Sequence, residues 1–169
     1  MGKTKAQSAI EFLMTYGWAL LVIIIVFSAL YVMGIFKPQI VSRCAFGPEM
    51  TCVSFSIRRT TTGNINATLI VQHSQQQAIT LKEISCVRST TINYSSVPAA
   101  AKQSLSISLD PGALSAALPG RLCFDQTGSP STGNAGDPFI GKVFIKWRIG
   151  TTGYIHTAEA YVSGPIEPS

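Results

Sequence analysis

Few side chains in this sequence have the type and spacing to do chemistry. Four cysteines, Cys44, Cys52, Cys86 and Cys123, all follow a long apolar N-terminal run. None belongs to a C-x-x-C pair, so the close ligand spacing of zinc ribbons and fingers is absent. An even number of cysteines beyond such a run points to disulfides in an oxidising compartment, with four buried thiols as the alternative. Four cysteines allow three pairings. Cys44–Cys52 with Cys86–Cys123 is favoured, because the first pair closes a short loop containing Gly47 and Pro48. The two histidines, His73 and His156, have no cysteine or carboxylate at ligand or triad spacing and read as structural. The run Gly136 to Lys142, GDPFIGK, imitates the start of a phosphate-binding loop, but Val143 stands where Ser or Thr is required. The residues after it read as strand, not as the helix that phosphate cradling needs. No G-x-S-x-G, H-E-x-x-H or G-x-G-x-x-G occurs. No catalytic, cofactor or metal site is assigned, and the chain is not read as an enzyme.

Two further signals remain. The sequons Asn66-Ala67-Thr68 and Asn93-Tyr94-Ser95 make Asn66 and Asn93 candidate N-glycosylation sites. A single carboxylate, Glu11, stands at the mouth of a charge-free apolar run. Buried unpaired in hydrocarbon it would cost several kcal/mol. It is either an interfacial acid favoured by the helix macrodipole or an acid that requires a cation.

The element behind Glu11 is the run from Phe12 to Phe36, 25 residues without a formal charge. As a helix it would extend about 37 Å, against a bilayer core of about 30 Å. It exceeds the h-region of a secretory signal, and Lys37, Pro38 and Gln39 do not form an A-x-A cleavage site. A helix apolar on every face needs apolar surroundings on every face, which leaves a membrane or other copies of itself. Lys3 and Lys5 precede it, so the positive-inside bias places the N-terminus in the cytoplasm and the rest outside. The net charge of +5 is otherwise scattered, with no block of like charge, and no nucleic-acid partner is expected.

From about Gln39 the pattern becomes short alternating runs. CVSFSI from Cys52, NATLIV from Asn66, AITLKEISCV from Ala78, the alternating Leu105, Ile107 and Leu109, and Arg121 to Phe124 read as strands. A phase change near Lys82–Glu83 reads as a bulge. KVFIKWRI, Gly-Thr-Thr-Gly and YIHTAEAYV read as a hairpin pairing Trp147 with His156. Val143, Ile145, Trp147 and Ile149 would share its buried face with Ala158 and Ala160. Lys142, Lys146 and Arg148 would share a wet face with Thr157 and Glu159. The expected fold class is α+β: a long N-terminal hydrophobic α-helix followed by an antiparallel β-sandwich-like domain.

The stretch KAQSAIEFLMTYGWALLVI, with Tyr-Gly-Trp-Ala from Tyr16 to Ala19, resembles archaeal type IV pilin-like proteins with a class III signal peptide. The resemblance covers about the first 36 residues. It implies cleavage by a membrane prepilin peptidase just before Gln7, with Ala6 before the cut, Lys5 as the preceding basic residue and Glu11 four residues beyond Gln7. Residues 1–6 would then be a leader, 7–38 a transmembrane and filament-core helix, and 39–169 an extracellular β-domain. Glu11, Phe12, Tyr16, Gly17 and Trp18 would belong to the assembly region. Cleavage would create an α-ammonium, of ordinary pKa about 7.7–8.0, able to pair with Glu11 of a neighbouring copy. The implied protein is a structural subunit of an adhesive surface filament. Its precursor sits in the cell membrane, its mature form is extracellular, and its chief partner is itself in a helical homo-oligomer. A membrane-anchored domain that never polymerises and an archaellum or minor pilin subunit are the competing expectations.

Overall fold

The computed structural model describes residues 4–34, 40–150 and 153–169; the side chains of 4–13, 15 and 119 lie outside the described set. The chain divides into two compact units, Met1–Gln39 and Ile40–Ser169.

Among its described residues the first unit contains one helix, α1 (Thr4–Val32). It has no proline and ends before Gly34, which takes a positive φ of 72° that glycine adopts without Cβ strain. Among the described residues, no helix is long and apolar enough to cross a membrane. The expected span from Phe12 to Phe36 is corrected accordingly. The side chains of Phe12, Leu13 and Thr15, and all of Ile35 and Phe36, lie outside the described residues.

The second unit is built from β1 (Arg43–Phe46), β2 (Met50–Arg59), β3 (Ile65–His73), β4 (Ile79–Val87), β5 (Lys102–Leu109), β6 (Leu118–Phe124), β7 (Pro138–Ile149) and β8 (Ile155–Pro165). Two 3-10 turns, Tyr94–Ser96 and Ala99–Ala101, lie between β4 and β5. The strands form one sheet in the order β1-β8-β7-β4-β6-β3-β2, with β5 branching from β4. The expected sandwich is therefore wrong: the protein is mostly β, with one nearly closed, barrel-like sheet.

A short parallel pairing makes the difference. Along one edge β4 pairs first with β5 and then with β6, where Cys86 faces Cys123 and Val87 faces Phe124. The Gln103 amide donates to Leu122 O at 3.0 Å and ties β5 to β6 at the branch. Without this link the strands would separate into two groups, β1-β8-β7-β4-β5 and β6-β3-β2.

The far edges, β1 and β2, are joined directly at one end, and at the other end β2 is bonded to the chain just after β8. At one end the Cys44–Cys52 disulfide joins them, with the Cα atoms 5.9 Å apart. At the other, Glu167 donates its N–H to Ile57 O at 2.8 Å and accepts from the Arg59 N–H at 2.9 Å. Between these closures Ser42, Val53, Ser54 and Phe55 line a shallow cleft of about 220 Å³.

Alternation along each strand fills the interior. In β3 every second residue from Ile65 to His73 is buried. Phe139, Val143, Ile145 and Trp147 of β7 meet Ala158, Ala160 and Val162 of β8 in the main core. The Trp147–His156 register is as expected, and the two rings stack at 4.4 Å. The bulge of β4 falls between Leu81 and Glu83 against both β5 and β7.

The other face of the hairpin departs from expectation. Phe144 is buried there, in a second cluster with Val87, Ile92, Val97, Ala101 and Phe124. The segment 88–101 lies over that face and makes it a covered surface.

Candidate functional site

Five of the residues singled out from the sequence, Lys5, Ala6, Gln7, Glu11 and Phe12, fall at helical positions of α1, but their side chains lie outside the described residues. Further along, Tyr16 and Trp18 are 60% and 70% exposed. A Cβ at Gly17 would meet no atom within 4 Å. Every residue from Leu20 to Phe27 is apolar and between 40% and 62% exposed. The one polar side chain in the next turn, Ser28, donates its hydroxyl to Ile24 O at 2.7 Å and so satisfies itself within the helix. This stretch of α1 has no polar face.

Both expected disulfides are present, Cys44–Cys52 and Cys86–Cys123, and they fit an oxidising or extracellular environment. Cys86 and Cys123 are fully buried, whereas Cys44 and Cys52 lie at the seam, partly exposed.

The histidines have structural settings. His73 is buried and its two ring nitrogens face backbone groups, Nδ1 accepting from the Gln75 N–H at 3.2 Å and Nε2 donating to Asp110 O at 2.5 Å. His156 stacks on Trp147. Residues 138–142 of the GDPFIGK run belong to β7, a strand and not a phosphate-cradling turn. Among the described residues, no group of three or more His, Cys, Asp or Glu is arranged to hold a metal ion.

The densest polar cluster went unnoticed in the sequence. It lies on the outer face, beneath and beside segment 88–101. The Tyr94 hydroxyl donates to the Glu83 carboxylate, and the Lys146 and Lys102 ammoniums lie 4.3 and 4.8 Å from the Tyr94 ring centre. Burial first, and then the acceptor carboxylate, push the Tyr94 phenol well above its usual range. Nearby, Lys142 is only 4% exposed. Its ammonium donates to Ile92 O at 3.0 Å, pairs with Glu159 at 2.6 Å and sits 4.8 Å from the Tyr161 ring centre. The Glu159 contact holds its pKa above the ordinary lysine value, against the opposing effect of burial. These groups pin the covering segment to the sheet. The one sequence signal that could have found them is the pair of outward-facing lysines flanking Phe144.

The two sequons have unlike settings. Asn66 is half-buried in β3, paired on one side with Arg58 of β2 and on the other with Leu122 of β6. Asn93 is exposed and immediately precedes the first 3-10 turn.

Comparisons with protein families, curated proteins and solved structures return no match for this chain.

Proposed function

We propose that the chain is the structural subunit of a surface filament of the archaeal type IV pilin-like kind, in which copies associate through α1 and display the β-unit. The observation that carries this reading is the faceless apolar stretch of α1, with Leu20 to Phe27 all 40–62% exposed in a single copy. Burying eight such side chains is worth on the order of 10–20 kcal/mol, so the helix requires an apolar cover. Other copies of the same helix supply one. The Ile40–Ser169 unit has its own cores and two disulfides, consistent with a module displayed outside the cell.

Processing before Gln7, and pairing of the new α-ammonium with Glu11 of a neighbour, rest on the sequence resemblance. A membrane stage for the precursor has the Lys3 and Lys5 charge bias in its favour. Assembly by contacts between unlike surfaces gives an open helical fibre, not a closed ring. Adhesion is the use the resemblance implies.

The test is electron microscopy of material sheared from cells, with intact-mass and N-terminal analysis of its main component. The expected result is fibres made of this chain beginning at Gln7, free or cyclised. Recovery of the chain only in the lipid fraction, with residues 1–6 intact, would overturn the proposal and favour a non-polymerising anchor.

A further inference from the structure

We infer that Asn93 is the acceptor of an N-linked oligosaccharide in the folded protein and that Asn66, despite its equally good sequon, is not. The inference depends on the filament reading only in placing the β-unit where a glycan transferase can reach it.

The chemistry sets the geometric demand. The Asn Nδ2 attacks the anomeric carbon of an oligosaccharide carried on a polyprenyl phosphate or pyrophosphate. The N–C bond forms as the C–O bond to the carrier breaks. The electron pair leaves with the carrier phosphate, and a proton passes from Nδ2 to a base of the transferase. The amide must therefore be free, and the three sequon residues must fit an enzyme groove as a protruding piece of chain.

Residues 93–95 meet that demand. Asn93 is exposed, with φ −101° and ψ 157°, an extended backbone, and its side chain makes no capping hydrogen bond. Ser95 is also exposed. The carbonyls of Asn93 and Tyr94 accept within their own turn, from Ser96 N–H at 3.0 Å and Val97 N–H at 3.2 Å, and not from a neighbouring strand. Flanking contacts hold the turn in place, Lys142 at Ile92 O on one side and Glu83 at the Tyr94 hydroxyl on the other. Asn93 thus stands between two pins on a presented corner.

Residues 66–68 fail it. Asn66 and Ala67 are paired on both sides, to Arg58 and Ile57 of β2 and to Leu122 and Arg121 of β6. Lifting this tripeptide into an enzyme groove would break two ladders at once. The amide also lies over the neighbouring strand. Its Nδ2 is 3.1 Å from where a Cβ at Gly120 would stand, and its Oδ1 is buried without a hydrogen-bond partner. With its Oδ1 buried and its backbone paired on both sides, this amide is not presented as protruding chain while the sheet is intact.

The experiment presents the full chain in detergent to a purified N-oligosaccharyltransferase with its lipid-linked donor. It is done once folded and oxidised, and once reduced and denatured, with peptide mass mapping of both sequons. The expected result for the folded chain is Asn93 occupancy at least tenfold above Asn66, abolished in Asn93→Gln and in Ser95→Ala. The denatured chain is expected to be modified at both. Modification of Asn66 in the folded chain, or of neither site in it, would overturn the inference. So would an Asn66 left bare in the denatured chain, because enzyme preference and not the fold would then explain the choice. None of these outcomes requires a fibre to form, so failure here leaves the filament reading standing, and failure of that reading leaves this result readable.

Discussion

The two disulfides should differ in worth, and by a calculable amount. Cys44–Cys52 spans 8 residues and Cys86–Cys123 spans 37. If each acts mainly by restricting the unfolded chain, the loop-closure relation gives about 2.5 kcal/mol for the first and about 3.8 kcal/mol for the second. A unit of about 130 residues unfolds with an entropy near 0.27 kcal/mol/K, so the corresponding losses in Tm are about 9 and 14 °C. Replacing the pair Cys86 and Cys123 by alanine also leaves a gap in the main core, which adds to its cost. The assay is calorimetry and urea denaturation of the Ile40–Ser169 unit carrying Cys44→Ala with Cys52→Ala, or Cys86→Ala with Cys123→Ala. The seam pair should also loosen β1 locally, seen as faster amide exchange at Arg43–Phe46 with the rest of the sheet unchanged. If the seam pair costs as much stability as the buried pair, chain entropy is not the main effect and the argument is wrong.

Three other outcomes are expected. Trp147→Ala should cost about 3–5 kcal/mol in denaturant midpoint experiments, but Trp147→Phe distinctly less, because Trp147 Nε1 is buried without a partner and its removal relieves a cost. Alkaline pH should lower stability through Lys142 and Tyr94, whose folded pKa values lie above their ordinary values of 10.5 and 10.0. Their contribution is complete below those ordinary values and is lost as pH rises through the folded ones, so Tm should fall as pH rises from about 10 upward and fall less in Lys142→Met with Tyr94→Phe. Gly141→Ala should destabilise by about 1–3 kcal/mol or more, because the added Cβ would collide with the Val87 carbonyl oxygen of the neighbouring strand, a backbone atom that cannot swing aside. A Gly141→Ala midpoint equal to wild type would show that the β4–β7 spacing is looser than described.

Local patterning was legible and closure was not. The register of Trp147 against His156 follows from alternation on both strands of one hairpin, and the Lys82–Glu83 bulge from a break in that alternation. Both are short-range signals. The pairing that turns two groups of strands into one sheet involves two residues of β4 and two of β6, some 37 positions apart, and nothing in either run distinguishes a parallel neighbour from an antiparallel one. The four residues of β1 are too few to show a period. The covered outer face escaped notice because 88–101 reads as loop, and a lysine such as Lys142 reads as solvated until a carbonyl and a carboxylate are placed beside it. The sequons were equally visible, but their difference lies in what surrounds each amide, which no tripeptide encodes.

Closure of the sheet also bears on the proposed assembly. Exposed strand edges are templates for pairing with another chain, and the hazard grows with local concentration. In a fibre held together by α1, β-units would be neighbours at permanently high concentration. β1 and β2 are the two ends of this sheet, and neither has a full ladder on its outer side. A covalent bond holds β1 to β2 at one end of the seam, and at the other the Glu167 bridge to Ile57 and Arg59 covers the edge of β2 with the chain after β8. The short β1, too brief to be a good template itself, fills part of the space between. On this argument the seam disulfide would contribute less to holding the fold than to keeping it from joining the wrong neighbour, and in the proposed fibre association would be left to the apolar stretch of α1.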